Sequence, residues 1–296
     1  MEKKQLGSTG VMLPEIGMGF WRYQGGVEPI RKGIELGATL IDTAEEYKTE
    51  EIVGQAIRDC REQIFVATKV SGRNLRHDDV LKAAEASLER LGVSQIDLYQ
   101  IHWPNSGIPI KPTIRAMETL ADRGLIKYIG VSQFSLADLR IALGLMRNHP
   151  IVSDQVRYNL NARKFEAGLL PFCERNQISL IAYTPLDDGR LAKPTPDAKG
   201  GMSTLQAIAK ETGHTIGQVA LNWCTSHPAV IAIPKSNSVE RTAENCLASG
   251  WRLSASQRER LDRAFSWKYE RLRASAGKAW RAVVRGRVTT LNLSDA

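Results

Sequence analysis

Short runs of apolar and β-branched residues recur along the chain, each followed by a stretch with helical spacing. The runs start near Glu15 (EIGMG), Thr39 (TLIDT), Ile64 (IFVATK), Asp97 (DLYQIH), Tyr128 (YIGVS), Val152 (VSDQ), Ser179 (SLIAYT) and Val230 (VIAIPK). Most lie 24 to 33 residues apart, the length of one strand, one helix and two loops. Between them, 80–92 (VLKAAEASLERLG) and 114–124 (IRAMETLADRG) put apolar residues at helical spacing and end in glycine, a common helix stop. Eight such units in 296 residues predict an α/β fold, a (β/α)8 TIM barrel of parallel strands. The rival is a doubly wound nucleotide-binding sheet, whose glycine fingerprint is missing. Gly17-Met18-Gly19 begins one, but Arg22 stands at its sixth position, and no Walker-type phosphate loop occurs.

Two additions decorate the predicted barrel. Residues 2–14 read as an N-terminal β-hairpin turning at GSTG, expected to plug one barrel end. The seventh and eighth runs start 51 residues apart. That extended stretch holds a Pro/Gly/Asp-rich loop (185–201) and two predicted extra helices (203–212 and 215–226). A loop of this length suits a functional lid better than a domain boundary. The barrel is expected to span 1–263 as one domain, followed by a C-terminal tail, 264–296. In the tail Tyr269, Leu272, Ala276, Trp280 and Val284 fall at helical spacing with arginines between.

Composition narrows the picture. A 43 % hydrophobic and 24 % charged chain can fill a real core. No apolar run reaches the roughly 18 residues that span a bilayer. MEKKQLGSTG has no apolar stretch after its lysines, so it does not read as a signal peptide. Cys60, Cys173, Cys224 and Cys246 are scattered without a CxxC, as reduced cytoplasmic thiols would be. The net charge of +8 is uneven, because 264–296 carries seven Lys/Arg against two Asp/Glu. A local excess of this kind does not make a nucleic-acid-binding body, and no membrane association is expected. The five histidines, His77, His102, His149, His214 and His227, form no HxH or HExxH pair, which argues against a metal-dependent hydrolase.

The predicted strands end on Asp42, Lys69, His102, Ser132, Gln155, Tyr183 and Lys235. In a parallel barrel such ends converge on one mouth, where active sites sit. Alternation puts Leu40 with Asp42, Ala67 with Lys69, and Leu98 with Gln100 and His102. With the apolar members facing inward, the polar ones do too, and Gln100 becomes an odd polar member of that layer that needs a partner. Tyr47 follows Asp42 by five positions. A phenol with a pKa near 10 is a reluctant donor at neutral pH. An adjacent lysine ammonium stabilises the phenolate and lowers that value, at about 1.4 kcal/mol per unit. Asp42 can keep Lys69 charged, and His102 can hydrogen-bond a substrate oxygen. An acid beside a polarised oxygen suits carbonyl reduction, with a nicotinamide cofactor as the hydride source.

These words, LIDTAEEY, VATK, DLYQIHWP, YIGVSQF, AYTPL and IPKSNSVERTAEN, occur in the order and at the strands of one family. From about Leu6 to Asn245 the chain resembles an aldo-keto reductase. The resemblance implies a barrel that binds NADPH/NADP+ without a Rossmann domain. It implies a carbonyl oxidoreductase with Tyr47 as general acid, Lys69 and Asp42 as its tuning pair, and His102 as the substrate-orienting group. It further implies that Ser132, Gln133 and Gln155 hold the nicotinamide carboxamide and that Tyr183 stacks on the ring. Gly19 would touch the cofactor, and Thr184 and Leu186 its pyrophosphate. Lys235, Ser236, Asn237 and Arg241 would clamp the 2′-phosphate, with Glu244 and Asn245 at the adenine. Asn237 with Glu240 reads as a capping box, and a helix start there offers free N–H groups to a phosphate. The family's VSNF is VSQF here, one methylene longer at Gln133, and Phe20 stands where a small polar residue is common. Trp21 and Trp103 are expected to wall the substrate pocket, with the tail as a lid bordering it. The expected partner is a small carbonyl compound and the expected state a monomer or weak homodimer. The alternative within the wider superfamily is a non-catalytic NADPH-binding barrel that regulates a partner protein.

Overall fold

Eight parallel strands close on themselves with helices outside. The computed structural model describes residues 1–266. The barrel strands are β3 (Met18–Gly19), β4 (Leu40–Asp42), β5 (Phe65–Val70), β6 (Ile96–Ile101), β7 (Ile126–Ser132), β8 (Ile151–Arg157), β9 (Ser179–Tyr183) and β10 (Val230–Ile233). Each pairs in parallel with the next, in chain order. Closure is made by main chain. Ile16 bridges Ala232, and the N–H groups of Gly17 and Gly19 donate to the carbonyls of Ala232 (2.8 Å) and Pro234 (3.1 Å). A closed sheet exposes no edge. The first predicted strand is shorter than its sequence run, since only Met18–Gly19 forms a ladder with β4.

Period-two alternation sorts the strand residues into two cores. Leu40, Ala67, Leu98, Ile181 and Ile231 point inward and form one cluster. Ile41, Val66, Tyr99, Ile129, Val131 and Leu180 point outward and pack beneath the helices. Antiparallel β1 (Lys3–Gln5) and β2 (Met12–Pro14) form the predicted hairpin. Its Leu6 and Leu13 join the inner cluster with Leu40, Phe65 and Val152, which stand at or next to the starts of their strands. The hairpin thus plugs the amino-terminal end and leaves the opposite mouth open. Lys4 pins it by donating from Nζ to the carbonyls of His227 and Val230 (both 2.7 Å) and of Thr225.

The helices follow from their periodicity. α3 (His77–Leu91) buries Val80, Ala83, Ala84, Ser87, Leu88 and Leu91, one face at three- and four-residue steps. It ends at Gly92, whose φ of 64° is the left-handed C-terminal conformation glycine adopts without strain. α4 (Ile110–Asp122) repeats the pattern with Ile114, Met117 and Leu120. α1 (Glu28–Glu35), α2 (Glu50–Ile57), α5 (Leu136–Leu145) and α6 (Leu169–Arg175) complete the ring up to β9. The long β9–β10 connection carries α7 (Gly201–Thr212) and α8 (Ile216–Cys224), as expected within a residue or two. α9 (Val239–Cys246) and α10 (Ala255–Ala264) follow β10. The helical pattern from Tyr269 to Val284 lies outside the described residues. Among the described residues no helix is long and apolar enough to cross a membrane. Nor does any group of three or more His, Cys, Asp or Glu side chains there suit a metal ion.

Candidate active site

Lys69 is the residue that organises the open mouth. It is the penultimate residue of β5, faces inward, and is completely buried. A buried ammonium is costly unless paired and hydrogen-bonded. Lys69 meets both conditions, donating to Asp42 Oδ1 at 2.5 Å and to the Thr43 carbonyl at 2.8 Å. Burial alone pulls the Lys69 pKa down, but the Asp42 carboxylate and the Tyr47 phenol outweigh it, and the net direction is upward. Asp42, the last residue of β4, has its other oxygen held by two amides. Gln100 Nε2 donates to Oδ2 at 3.1 Å and Gln155 Nε2 at 2.7 Å. Gln100 therefore finds the partner its position demands.

Tyr47 enters from a 3-10 turn, Glu45–Tyr47, set by extended Ala44 before it and left-handed Lys48 (φ 55°) after it. Its hydroxyl lies 3.1 Å from His102 Nε2, and Lys69 Nζ is 4.9 Å from the ring centroid. Lys69 lowers the phenol pKa as expected, yet the net direction is upward. Burial is the larger influence and pushes it above 10, while Lys69 pulls the other way and Asp42 adds to the rise. Tyr47 therefore holds its proton at rest. His102 is pushed down to about 3 by burial and then by Lys69. It is a neutral imidazole at physiological pH, fit to orient an oxygen and unfit to serve as a cationic donor.

Aromatic groups frame the pair. Trp21 stands edge-on to Tyr47 with centroids 5.0 Å apart, and Trp103 lies 4.6 Å from His102. Trp21 is exposed, with the Arg22 guanidinium over its ring. Trp103 lies against Gly72, where a Cβ would come within 2.1 Å of Trp103 Nε1. Only glycine at 72 permits that packing.

One side of the mouth carries amides. Ser132 Oγ donates to the Gln155 carbonyl at 2.9 Å, and the Gln133 N–H donates to the same oxygen at 2.8 Å. Gln133 adopts φ 60°, and its Nε2 reaches the His102 carbonyl at 3.2 Å. The extra methylene relative to asparagine is used in that span. Tyr183 ends β9 half-buried. Beyond it Thr184 (φ 52°) and Leu186 begin a tight loop. Its shape is set by buried Asp187, which accepts from Arg157 (2.7 Å), Asn161 (3.0 Å) and Arg190 (2.9 and 3.0 Å). Burial works against that carboxylate, yet these donors hold it down at about 2.

The other side is basic. Lys235 and Arg241 flank the start of α9, and among the described residues neither has a carboxylate within 4.0 Å. Burial, and to a lesser degree the Arg241 charge, push the Lys235 pKa down. The helix cap is Ser238, whose Oγ accepts from the Arg241 N–H; the expected capping box at Asn237 does not form, and Arg241 at the third helical position has no acceptor to complete one at Ser238. Asn237 Oδ1 instead accepts from the Gln24 N–H at 3.1 Å, tying this corner to the loop after β3. Ser236 Oγ donates to the Ser238 carbonyl. Ser236 and Asn245 line a narrow crevice with Gly19, Phe20 and Tyr23. Glu244 Oε1 accepts from Thr215 Oγ1 at 2.5 Å, so its carboxylate is engaged by α8's cap.

The profile of the Aldo/keto reductase family matches residues 15–265. The chain belongs to that family. It is 36 % identical over 282 residues to methylglyoxal reductase YeaE of Escherichia coli (strain K12), covering 90 % of this chain and 96 % of the relative. Among solved structures it is similar to the thermostable aldo-keto reductase Tm1743 in complex with epalrestat. There the TM-score is 0.83 at 41 % identity, over 88 % of this chain and 99 % of that one. It is also similar to an aldo/keto reductase from Klebsiella pneumoniae in complex with NADP and acetate. In that case the TM-score is 0.81 at 35 % identity, over 90 % and 96 % of the two chains.

This aldo/keto reductase brings Asp42, Tyr47, Lys69 and His102 into one cluster at the open mouth, flanked by Trp21 and Trp103. Ser132, Gln133 and Gln155 share one set of hydrogen bonds beside it. Sequence reasoning missed the Arg157–Asp187–Arg190 clamp. Nothing in a Asp-Asp-Gly-Arg run says which acid turns inward, because that depends on an arginine from β8, 30 residues earlier. It also missed the partner of Gln100, although the alternation that flagged Gln100 as polar was the available signal.

Proposed function

We propose that the protein reduces aldehydes and ketones to alcohols with NADPH, RCHO + NADPH + H+ → RCH2OH + NADP+, with Tyr47 as proton donor. The observation that carries this reading is the 3.1 Å contact of Tyr47 with neutral His102 beside the buried Lys69–Asp42 pair. The cofactor fits the residues present. Lys235 and Arg241, two cations without a carboxylate within 4.0 Å among the described residues, suit a phosphate, and Ser236 and Asn245 line the adjoining crevice. In this reading Lys235, Ser236, Asn237 and Arg241 hold the 2′-phosphate, with Glu244 and Asn245 at the adenine and Gly19 beside them. Thr184 and Leu186 meet the pyrophosphate, Tyr183 the ring face, and Ser132, Gln133 and Gln155 the carboxamide. Bound NADPH supplies the hydride.

The chain's own part is to place and move a proton. A carbonyl oxygen seated between Tyr47 Oη and His102 Nε2 receives hydrogen bonds from both. As negative charge grows on that oxygen it becomes a far stronger base than a phenolate, so the Tyr47 proton moves to it. The phenolate left behind is stabilised by Lys69, whose charge Asp42 sustains. Trp21 and Trp103 keep water from the reacting carbonyl. A purely regulatory barrel would have no use for a fully buried lysine–carboxylate pair, which is expensive to maintain.

The relation to a methylglyoxal reductase makes small dicarbonyl compounds the first substrates to try. The test is a carbonyl panel followed at the reduced-cofactor absorbance, run with wild type and Tyr47→Phe. Oxidation of NADPH by wild type and its loss in the variant support the reading. Equal rates in both defeat it.

A further inference from the structure

Gln100 is fully buried on the inner face of β6, in the layer above apolar Leu98. A buried primary amide without hydrogen bonds costs roughly 2–7 kcal/mol, so this layer would ordinarily take another leucine. Here the amide is used. Nε2 donates to Asp42 Oδ2 at 3.1 Å, and Oε1 accepts from Gln155 Nε2 at 3.4 Å. The strand between β6 and β8 makes room for this. In the register Gln100 pairs with Gly130, and Gly130 with Ser153. A Cβ on Gly130 would fall 2.6 Å from Ser153 Oγ and 2.9 Å from Gln100 Cγ. Because β7 presents no side chain at this point, two glutamines from strands that do not touch meet over Gly130 and grip one carboxylate oxygen.

We propose that Gln100 is a positioning residue that acts through Asp42 on Tyr47. With Gln155 it fixes Oδ2, so that Oδ1 is the oxygen presented to Lys69. Three donors on one carboxylate also stabilise its anion, which tempers the hold of Asp42 on Lys69 and leaves more of the ammonium's field for the phenol. Gln155 Oε1 makes no hydrogen bond among the described residues. The side chain assigned above to the carboxamide thus also touches the counter-ion of the acid's lysine. The groups that face Tyr47 are Asp42 from β4, Lys69 from β5, His102 after β6 and Tyr183 from β9. Glu45 and Glu46 on its own turn are tied to Ser71 and Asn74. Gln100 carries no charge, so any effect it has on the phenol passes through Asp42.

The inference rests on the reductase reading for its catalytic meaning, and its test separates the two. Gln100→Met keeps the length and removes both amide groups. Gly130→Ala presses on Gln100 and Ser153 while leaving every side chain that bonds Asp42, Lys69, Tyr47 or His102 chemically intact, and serves where the first variant folds poorly. The tyrosinate ultraviolet titration of the cofactor-free protein, referenced to Tyr47→Phe, reads the Tyr47 phenol directly. We expect it to move up by about half a unit to one unit in Gln100→Met, and by less in Gly130→Ala. In the carbonyl assay kcat should fall about tenfold and its alkaline limb move up with the phenol, while NADPH affinity changes less than about twofold. A loss of melting temperature with an unmoved tyrosinate titration makes Gln100 a packing residue and overturns the inference. Wild type that reduces no carbonyl defeats the reductase reading alone, because the titration still decides the role of Gln100.

Discussion

Lys69 Nζ and Asp42 Oδ1 sit 2.5 Å apart, with side chains 0 % and 3 % exposed, at the open end of the barrel. A pair so removed from water is held by its surroundings. Taking away one member leaves the other as an uncompensated buried charge.

Asp42→Asn is therefore expected to destabilise the protein by about 3–5 kcal/mol, read as a lower midpoint in denaturant. The double variant Asp42→Asn/Lys69→Met should lose less than the sum of the single losses, since no orphan charge remains. Strict additivity would show that the pair is not coupled.

Tyr47→Phe should lower kcat by about 10²–10⁴-fold, the range for loss of a positioned general acid. NADPH affinity, followed by protein fluorescence, should stay within about twofold. His102, held at about 3, cannot replace the phenol as a cationic acid at neutral pH. Its own replacement by Gln should mainly raise KM and relax carbonyl orientation.

Arg241→Ala should weaken NADPH by about 10–100-fold, as expected for a charge-assisted phosphate contact of about 1.5–3 kcal/mol, and leave NADH almost unchanged. Titration of both nucleotides against wild type and variant checks this. Equal loss for both would move Arg241 away from the 2′-phosphate.

Asp154 gives a stability effect with a definite sign. It lies wholly buried on β8, and among the described residues neither carboxyl oxygen has a hydrogen-bond partner of ordinary geometry. Burial pushes its pKa well above the ordinary 3.8; the nearby Phe134 N–H recovers part of this, and Asp138 adds to the rise. The folded chain keeps a proton that the unfolded chain loses. Stability is thus full below the ordinary value and declines as pH climbs toward the folded one, by up to about 1.4 kcal/mol per unit. Asp154→Asn should raise the melting temperature more at about pH 7 than at about pH 4, flattening that dependence. A variant less stable than wild type at neutral pH would mean that the carboxylate is ionised and partnered.

Strand positions, strand direction and the inward layer were all legible before any coordinates. β-branched runs at regular spacing set eight strands, and alternation put Asp42, Lys69, Gln100 and His102 on one side of theirs. These are local properties, dictated by a backbone whose side chains alternate and by helices that bury one face. The helix after β10 was legible to within one residue. Its cap is Ser238, while the Asn237 side chain accepts instead from the Gln24 N–H, 213 residues away in the chain.

What the tertiary structure decided is the state of each group. Asp42 takes donors 27, 58 and 113 residues distant, and only barrel closure brings them to one carboxylate. The neutrality of His102, the retained proton of Tyr47 and the span of Gln133 to the His102 carbonyl follow from burial and register. Composition and motif order determine which groups arrive at the mouth. Desolvation and cross-strand partners determine which of them are charged, since both depend on what the rest of the chain packs around them.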